Sequence, residues 1–373
     1  MTRPARFLVR VGAMASKEVM HIRRDPRTLY MALAMPVVML LIFGFGVSFD
    51  MDHIPLVVLD GDRSTSSRAL VRAVSAGHEF TVAADSDEAT ALRMIRRGQA
   101  LAALAIPAGY QRELAAGRDG EVQLIVDGAD GVVANQILSK IDGLVRAESL
   151  RRIDLAAEPP LQVKVFTLFN PEARSALFMV PGLAVYLLAI AAVLLTALTV
   201  SGEWERGSME QLFASPVGRL EIVLGKLLPY LGLGMLQLLL VVAVGAVIFD
   251  VPIRGSAALL FLAGFLFLVG MLGQGLFISV VARSQLVATQ AGALSSLLPS
   301  LLLSGMLVPI ENMPRILQVL SSVIPARYFV HAMRGIMLKD SGLAILWTDL
   351  VALTIFALAI LVLATARFRR RLA

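Results

Sequence analysis

No cysteine occurs in the 373 residues of this chain. That excludes a disulfide framework, a cysteine-ligated zinc site and a thiol nucleophile. Charge is scarce as well. Only 17% of residues are Asp, Glu, Lys or Arg and 57% are hydrophobic, against about 25% charged and about 45–50% apolar in soluble domains. The chain is therefore an integral membrane protein. Histidine is limited to His21, His53, His78 and His331, scattered without metal-ligand spacing. Asp127-Gly128 with Asp130-Gly131 lacks the rest of a calcium loop and reads as a turn. No Ser/His/Asp arrangement is recognisable, so nothing supports catalysis by this chain.

What the sequence does contain is six long, charge-poor runs, and about 20 residues suffice to cross the hydrocarbon core. They are Thr28 to Phe49, Ser175 to Gly202, Leu227 to Phe249, Gly255 to Ala282, Ser284 to Ile310, and about Ile345 to Ala366, the last shortened at its start by Asp349. Lysines and arginines in the short loops orient them. Arg3, Arg6, Arg10, Lys17, Arg23, Arg24 and Arg27 precede the first run, and Arg367, Arg369, Arg370 and Arg371 follow the last. Arg206, Arg219, Lys226 and Arg283 fall on the same side if the spans alternate; the opposite side holds Arg254, Arg315, Arg327, Arg334 and Lys339. Both termini are thus expected in the cytoplasm. The formal charge of +6 orients the chain in its bilayer and calls for no nucleic-acid partner. The first run is too long for a signal-peptide core and lacks a small-residue cleavage site, so it reads as a retained anchor.

Residues 50–174 are a different kind of sequence. Strands are expected at Leu56–Asp60, Phe80–Val82, Leu101–Ile106, Val122–Val126 and Val163–Leu168, and helices at Ser66–Ala76, Glu88–Arg97 and Val132–Arg152. Alternation of this kind predicts a small α/β domain, which the topology puts outside the cytoplasm. It is either a domain that handles substrate or docks a partner, or a rigid spacer. Residues 1–27 carry Leu8, Val11, Ala15, Val19 and Ile22 at three- and four-residue steps, with Arg6, Arg10, Lys17, His21 and Arg24 opposite. That pattern predicts an amphipathic helix in the cytoplasmic interface, its basic face toward lipid phosphates and its end at Pro26. A plain positive-inside anchor is the alternative.

Between the second and third runs lies a polar island, Glu203-Trp204-Glu205-Arg206-Gly207-Ser208-Met209-Glu210-Gln211-Leu212. Charged side chains at a helix centre cost roughly 2.5–3.5 kcal/mol each, so Glu203 to Glu210 are expected outside the hydrocarbon. Within the spans, Gln237, Gln274, Gln290 and Thr196 either line a path or hydrogen-bond neighbouring helices, the latter being favoured. Pro36, Pro181 and Pro299 are expected to break helices locally. Gly232, Gly234, Gly270, Gly273 and Gly292 allow close helix approach. No acid or base is expected mid-span, which argues against proton coupling. The stretch from Pro309 to Lys339 is too polar to span, yet Leu317, Val319, Leu320, Val323 and Ile324 need burial.

These residues add up to a resemblance. Lys17-Glu18 with Arg23-Arg24-Asp25-Pro26-Arg27, and Gly44 in the first run, resemble the start of an ABC-2 type transporter permease. The block Glu203-x-Glu205-x-Gly207-x-x-Glu210-x-Leu212, with Ser215-Pro216-Val217 and Leu224-Gly225-Lys226, is similar to that family's cytoplasmic signature, with Ser208 where Thr is frequent. Ser304-Gly305, Pro309, Asn312-Met313-Pro314, Pro325-Ala326-Arg327-Tyr328 and Arg334-Gly335 resemble its stretch before the final helix. The large domain after the first span points to the multidrug or drug-exporter-like branch.

The resemblance implies six transmembrane helices in an α-helical polytopic protein, with the α/β domain inserted between helices 1 and 2. It divides the chain into an interfacial helix (1–27), a first span (28–49), the extracytoplasmic domain (50–174) and a five-helix region (175–373). The last would carry a coupling loop at 203–226 and an outer re-entrant segment at 309–340. It further implies a separate cytoplasmic ABC ATPase that holds ATP and Mg, a second permease chain, identical or paralogous, and in some systems a periplasmic adaptor. The expected location is the bacterial cytoplasmic (inner) membrane, and the expected cargo is hydrophobic or amphipathic. Consistently, Gly225-Lys226 is followed by Leu227 and preceded by Leu220 where a phosphate loop needs glycine, so this chain is expected to bind no cofactor itself. Glu203, Glu205, Arg206, Gly207, Met209, Glu210, Leu212 and Phe213 would form the coupling helix, with both early glutamates at its positive end and Met209, Leu212 and Phe213 as its apolar face. Lys17, Glu18, Arg23, Arg24, Asp25 and Pro26 would belong to the interfacial helix, and Gln237, Gln274, Gln290 and Pro299 to a path or to helix packing. The competing reading is a membrane-anchored extracytoplasmic receptor or scaffold. It needs neither a structured cytoplasmic loop nor a re-entrant element, and those two features favour the exporter.

Overall fold

In the computed structural model, which describes residues 3–46, 53–76, 79–83, 87–118, 120–128, 134, 137–145, 174–209 and 217–368, the chain divides into two units. One is Phe49–Phe166; the other joins Met1–Ser48 to Thr167–Ala373. The second unit opens with helix α1 (Arg3–Arg24) and, across Asp25, α2 (Pro26–Leu29). Proline is tolerated at a first helical position because its missing N–H has no intrahelical partner there. Asp25 accepts a hydrogen bond from the Thr28 hydroxyl at 2.7 Å. A π-helical turn (Tyr30–Ala34) precedes α3 (Met35–Gly46), next to Pro36, whose ring and absent N–H disturb the regular ladder.

The buried stripe of α1 differs from the expected one. Val11, Met14, Glu18 and Ile22 are buried, while Leu8 is 68% exposed and Val19 is exposed as well. The helix does not simply float its apolar face in lipid: it seats Met14 against Gly225, where an added Cβ would come within 2.5 Å of the methionine.

The α/β unit runs β1 (Ile54–Asp60), α4 (Thr65–Ser75), β2 (Phe80–Ala83), α5 (Glu88–Arg96), β3 (Ala102–Ile106), α6 (Tyr110–Ala115) and β4 (Gln123–Val126). The sheet order is β2-β1-β3-β4, with β1 parallel to β2 and β3, and β4 antiparallel to β3. The central strand β1 is buried on both faces, which is why Leu56-Val57-Val58-Leu59 reads as a continuous apolar run. Leu56 and Val58 pack with Leu70, Val74, Ile137 and Ile141; Val57 packs with Ala91 and Ala103 on the other side. The expected helix at 132–152 is described only at 134 and 137–145, and the expected strand at 163–168 lies outside the described residues.

One polar tie orders the end of this sheet. The Asp62 carboxylate accepts from the Gly109 N–H at 2.7 Å and the Gln111 N–H at 3.0 Å. The Ser64 hydroxyl, foremost, and these amides hold the carboxyl below its ordinary value of 3.8. The tie is intact above that pH and is lost as pH falls through the lower folded value. Asp62→Asn, which mimics the protonated group, is expected to speed amide hydrogen exchange across 107–115 in the full chain at neutral pH. Unchanged exchange there would show that the tie carries nothing.

The helical unit continues with α7 (Ser175–Glu205), α8 (Arg219–Ile248), α9 (Ala257–Ala282), α10 (Gln285–Leu302), a 3-10 turn (Ile310–Asn312), α11 (Arg315–Ser321), α12 (Pro325–Lys339) and α13 (Leu343–Arg367). Four helices, α7, α8, α9 and α13, are long and apolar enough to cross a membrane. The remaining expected spans are shorter: Tyr30–Gly46 for the first, and α10, which stops at Leu302 rather than Ile310, for the fifth. The third helix begins at Arg219, well before the expected Leu227, so Lys226 lies inside it. Helices α11 and α12 form a pair bent by 85°. Pro181 and Pro229 sit inside α7 and α8 without ending them, so Pro181 is not the break expected; Pro299 falls in the last turns of α10.

Close approach of α7 and α9 organises the bundle. A methyl group on Gly275 would overlap the Val193 carbonyl and the Thr196 hydroxyl. Thr196 donates across to the Leu272 carbonyl at 2.8 Å, and Ser279 Oγ accepts from Ser201 N–H at 2.9 Å. Thr196 therefore bonds a neighbouring helix. Gly270 and Gly273 admit Phe356 and Ile360 of α13, and Gly292 faces Val193 of α7. Gly44 is filled from within its own chain by Phe249.

Candidate functional site

At one end of the helical unit the last turns of α7, α9 and α13, the first turns of α8, and α1 share a core of Met14, Val200, Met209, Ile222, Val223, Leu276, Val280 and Phe368. A cluster of four charges crosses it. Lys226 is 1% exposed; its Nζ donates to Glu18 Oε1 at 2.7 Å and lies 2.9 Å from Glu203 Oε2. Lys17 Nζ donates to Glu203 Oε1 at 2.9 Å. Arg10 reaches Glu221 at 3.5 Å on the edge of the same surface. One carboxylate from α1, one from α7, one ammonium from α1 and one from α8 thus balance in a largely buried place. A buried charge is tolerable only when paired and hydrogen-bonded.

This arrangement corrects the expected coupling element. Glu203 and Glu205 do not open a cytoplasmic helix; they close α7, a 31-residue helix. Carboxylates there face the negative helix end, an unfavourable position that the two lysines offset for Glu203. Glu205 is exposed and accepts from the backbone N–H and the side-chain amide of Gln285, which ties it to the start of α10. Arg206 and Gly207 are exposed, Gly207 with φ +70, where the chain leaves the helix. Met209 is buried in the core and offers no apolar face to a partner. Glu210, Leu212 and Phe213 lie outside the described residues. In the N-terminal helix, Arg23 and Arg24 are exposed, and Asp25 and Pro26 form the junction to α2.

The residues named for a path are not brought together. Gln237 is 1% exposed, with both polar atoms lacking a hydrogen-bond partner among the described residues. Gln274 donates to Ser295 Oγ of α10 at 3.1 Å, which is helix packing. Gln290 is exposed on α10, and Pro299 is partly buried.

Sequence reasoning missed Lys226 and Glu221 as site members, and the pair between His331 Nδ1 and Asp349 Oδ2 at 2.8 Å. A lysine directly before an apolar run, in a helix that begins two turns ahead of that run at Arg219, is the signal that could have found Lys226. At the opposite end of the bundle, Arg334 of α12 donates to the carbonyls of Phe178, Gly305 and Met306 at 3.0, 2.8 and 3.1 Å and stacks 3.7 Å from the Phe178 ring. Arg327 donates to Ser321 Oγ at 2.7 Å, joining α11 to α12. These motif residues hold the bent pair in place.

The α/β unit has its own cavity of about 710 Å³ beside the carboxyl ends of β1 and β3, lined by Leu59, Asp60, Ile106, Val122 and Ile125 among others. Among the described residues no group of three or more His, Cys, Asp or Glu side chains is placed to hold a metal.

Comparison with known proteins adds to this geometry. Residues 26–366 match the family model described as ABC-2 family transporter protein. The chain is 31% identical to a probable multidrug ABC transporter permease, YbhS, of Escherichia coli, over the full length of both. It is 28% identical to a second, YbhR, over 97% of this chain and 99% of that one. It is also 26% identical to ABC transporter G family member 20 of Dictyostelium discoideum, covering 91% of this chain and 47% of the relative. With both a full-length relative and a family model spanning nearly the whole sequence, the chain belongs to the ABC-2 family of transporter proteins, as a permease subunit.

Proposed function

We propose that this permease moves a hydrophobic or amphipathic substrate out of the cytoplasm or inner leaflet, driven by ATP and Mg on a separate ABC ATPase. The observation that carries the reading is the four-charge cluster. It binds α1, the end of α7 and the start of α8 into one body beside the exposed turn at Glu205 to Gly207. A push on that turn would be delivered to two long helices and the interfacial helix together. The named function of the Escherichia coli relatives supports the multidrug class of cargo.

In this reading the basic end of the bundle faces the cytoplasm, as positive-inside bias requires, and both termini lie there. Six crossings follow if Tyr30–Gly46 and α10 each span, their short lengths accommodated by thinning or tilt of neighbours. The bent pair α11 and α12 then re-enters from the outer side; its turn at Ser322 and Val323 is exposed, and the burial expected for Val319, Leu320 and Val323 is not found within the chain. The α/β unit lies outside the cytoplasm and is a place for a periplasmic adaptor or for substrate. A second permease copy or sister chain covers α10, where an exposed Gln290 is poorly suited to lipid. The membrane is the bacterial inner membrane. The receptor or scaffold reading has one observation in its favour, the cavity at the β1 and β3 ends, a usual ligand position in open α/β sheets.

The test separates folding from coupling. Glu205→Lys with Arg206→Glu gives up the tie to Gln285 at an exposed site, so it is expected to lower yield and melting only slightly while abolishing ATPase copurification and ATP-driven export. Normal recruitment and export in that double variant would refute the coupling role of the turn. In this cysteine-free chain, single cysteines at Ser66 and Ser208 are expected to label from opposite sides of the membrane. Labelling of both from one side would overturn the topology.

A further inference from the structure

Beside the charge cluster, the same end of the bundle contains a cavity of about 280 Å³ lined by Trp204, Met209, Val280, Val281, Arg283, Arg367 and Phe368. Its walls are of two kinds. Met209, Val280 and Phe368 are buried and apolar, Val281 is exposed toward the bundle surface, and two guanidiniums stand at the rim. Arg283 ends α9 in a left-handed conformation, φ +55, with its guanidinium carbon 4.8 Å from the Trp204 ring centroid. Arg367 closes α13.

The simplest role for these arginines is to offset the negative ends of three helices, each equivalent to roughly half a charge. That role predicts guanidinium N–H groups on the last carbonyls. Among the described residues neither Arg283 nor Arg367 makes a hydrogen bond or an ion pair; the ring contact of Arg283 is its one recorded interaction. Glu205, next to Trp204 in the chain, is occupied by Gln285. Among the described residues, then, ten guanidinium N–H donors stand around an apolar-backed cavity without a hydrogen-bonded protein acceptor.

Position names the missing partner. Three helices of span length and composition end at this cavity, which sets it at headgroup depth, with a tryptophan at the level where such rings collect. A phosphate at the rim would meet both guanidiniums in fork geometry, and an acyl chain could leave past Val281 into the bilayer. We infer that this cavity is a binding site for the phosphodiester headgroup of an anionic phospholipid, drawn from the leaflet at the basic end of the bundle. It rests on the proposed orientation only for naming that leaflet as the cytoplasmic one. Basic pockets between transmembrane helices on that side bind such headgroups.

The chain has two tryptophans, so Trp347→Phe leaves Trp204 as the sole reporter. In that background, the full chain in neutral detergent is titrated with dibrominated phosphatidylglycerol or dibrominated phosphatidylcholine, and quenching is followed. Saturable quenching by phosphatidylglycerol at about tenfold lower concentration than by phosphatidylcholine is expected. Arg283→Gln with Arg367→Gln should erase that difference, and Arg283→Lys with Arg367→Lys, which keeps the charge, should retain part of it. Equal quenching by the two lipids, or a preference unchanged in the glutamine pair, overturns the assignment. If inorganic phosphate displaces the brominated lipid with equal potency, the site takes soluble phosphate and the lipid assignment falls. The measurement needs no ATPase, so its failure leaves the export reading standing, and a failure of export leaves this site standing.

Discussion

Lys226→Met is expected to destabilise the helical unit by about 3–5 kcal/mol, because it strands buried carboxylates instead of merely removing a contact. Glu18 loses the one cation that reaches it among the described residues, and Glu203 keeps only Lys17. The loss should appear as a lower melting temperature in detergent and as reduced yield of folded chain. The informative comparison is the triple variant Glu18→Gln, Glu203→Gln, Lys226→Met, which removes both acids with the base. Replacing a whole buried ionic group is often neutral, so the triple variant should recover most of the lost stability. A triple variant no better than Lys226→Met would mean that the long side chain, and not its charge, fills the site. A single variant that melts with the wild type would remove the cluster from any structural role.

The next largest effect concerns a residue with no side chain. Gly275→Ala places a methyl group into the Val193 carbonyl and the Thr196 hydroxyl, and the first of these is backbone that cannot rotate away. The two helices must separate, which also stretches the Thr196 to Leu272 and Ser201 to Ser279 hydrogen bonds. Overpacking of a tight core typically costs about 1–3 kcal/mol, and lost interhelical bonds add to it, so little folded protein is expected. Gly232→Ala is the control, because nothing lies within 4 Å of its added Cβ. There, alanine should stabilise by up to about 1 kcal/mol through helix propensity alone. Equal melting temperatures for the two variants would show that the α7–α9 approach is softer than its geometry indicates.

Legibility in the sequence followed the kind of solvent each segment meets. In the α/β unit β1, α4 and α5 lie within a residue or two of expectation, because β1 is a short apolar run bounded by turn residues and the helices carry an apolar stripe against water. The short helix α6 was not read, since Tyr110–Ala115 carries too few turns to show a period. In the membrane the signal is hydropathy, which marks where apolar runs lie but not where helices end. Lys226 was assigned to a loop because a lone charge is costly in hydrocarbon. Paired with Glu18 and Glu203 it is not alone, and the helix begins two turns earlier. Asp349 likewise lies inside α13, paired with His331. Absence of mid-span charge was thus a property of the runs as chosen by composition, not of the helices. Gly44 is faced by Phe249, more than two hundred positions along the same chain, a neighbour that no local pattern announces.

The seat of α1 has a consequence for how the chain is made. Its partners are remote: Lys226 stands 208 positions from Glu18, and Glu203 stands 186 from Lys17. A ribosome adding about 5–20 residues per second needs roughly 10–40 s to deliver the second half of that cluster. During that interval Glu18 has no lysine from α8, and the stripe of Val11, Met14 and Ile22 has no helix to cover it. The nascent helix must wait at the membrane surface, held by its arginines. Chains interrupted before residue 226 would therefore carry an unseated, basic amphipathic tail, and that tail distinguishes an unfinished chain from a finished one.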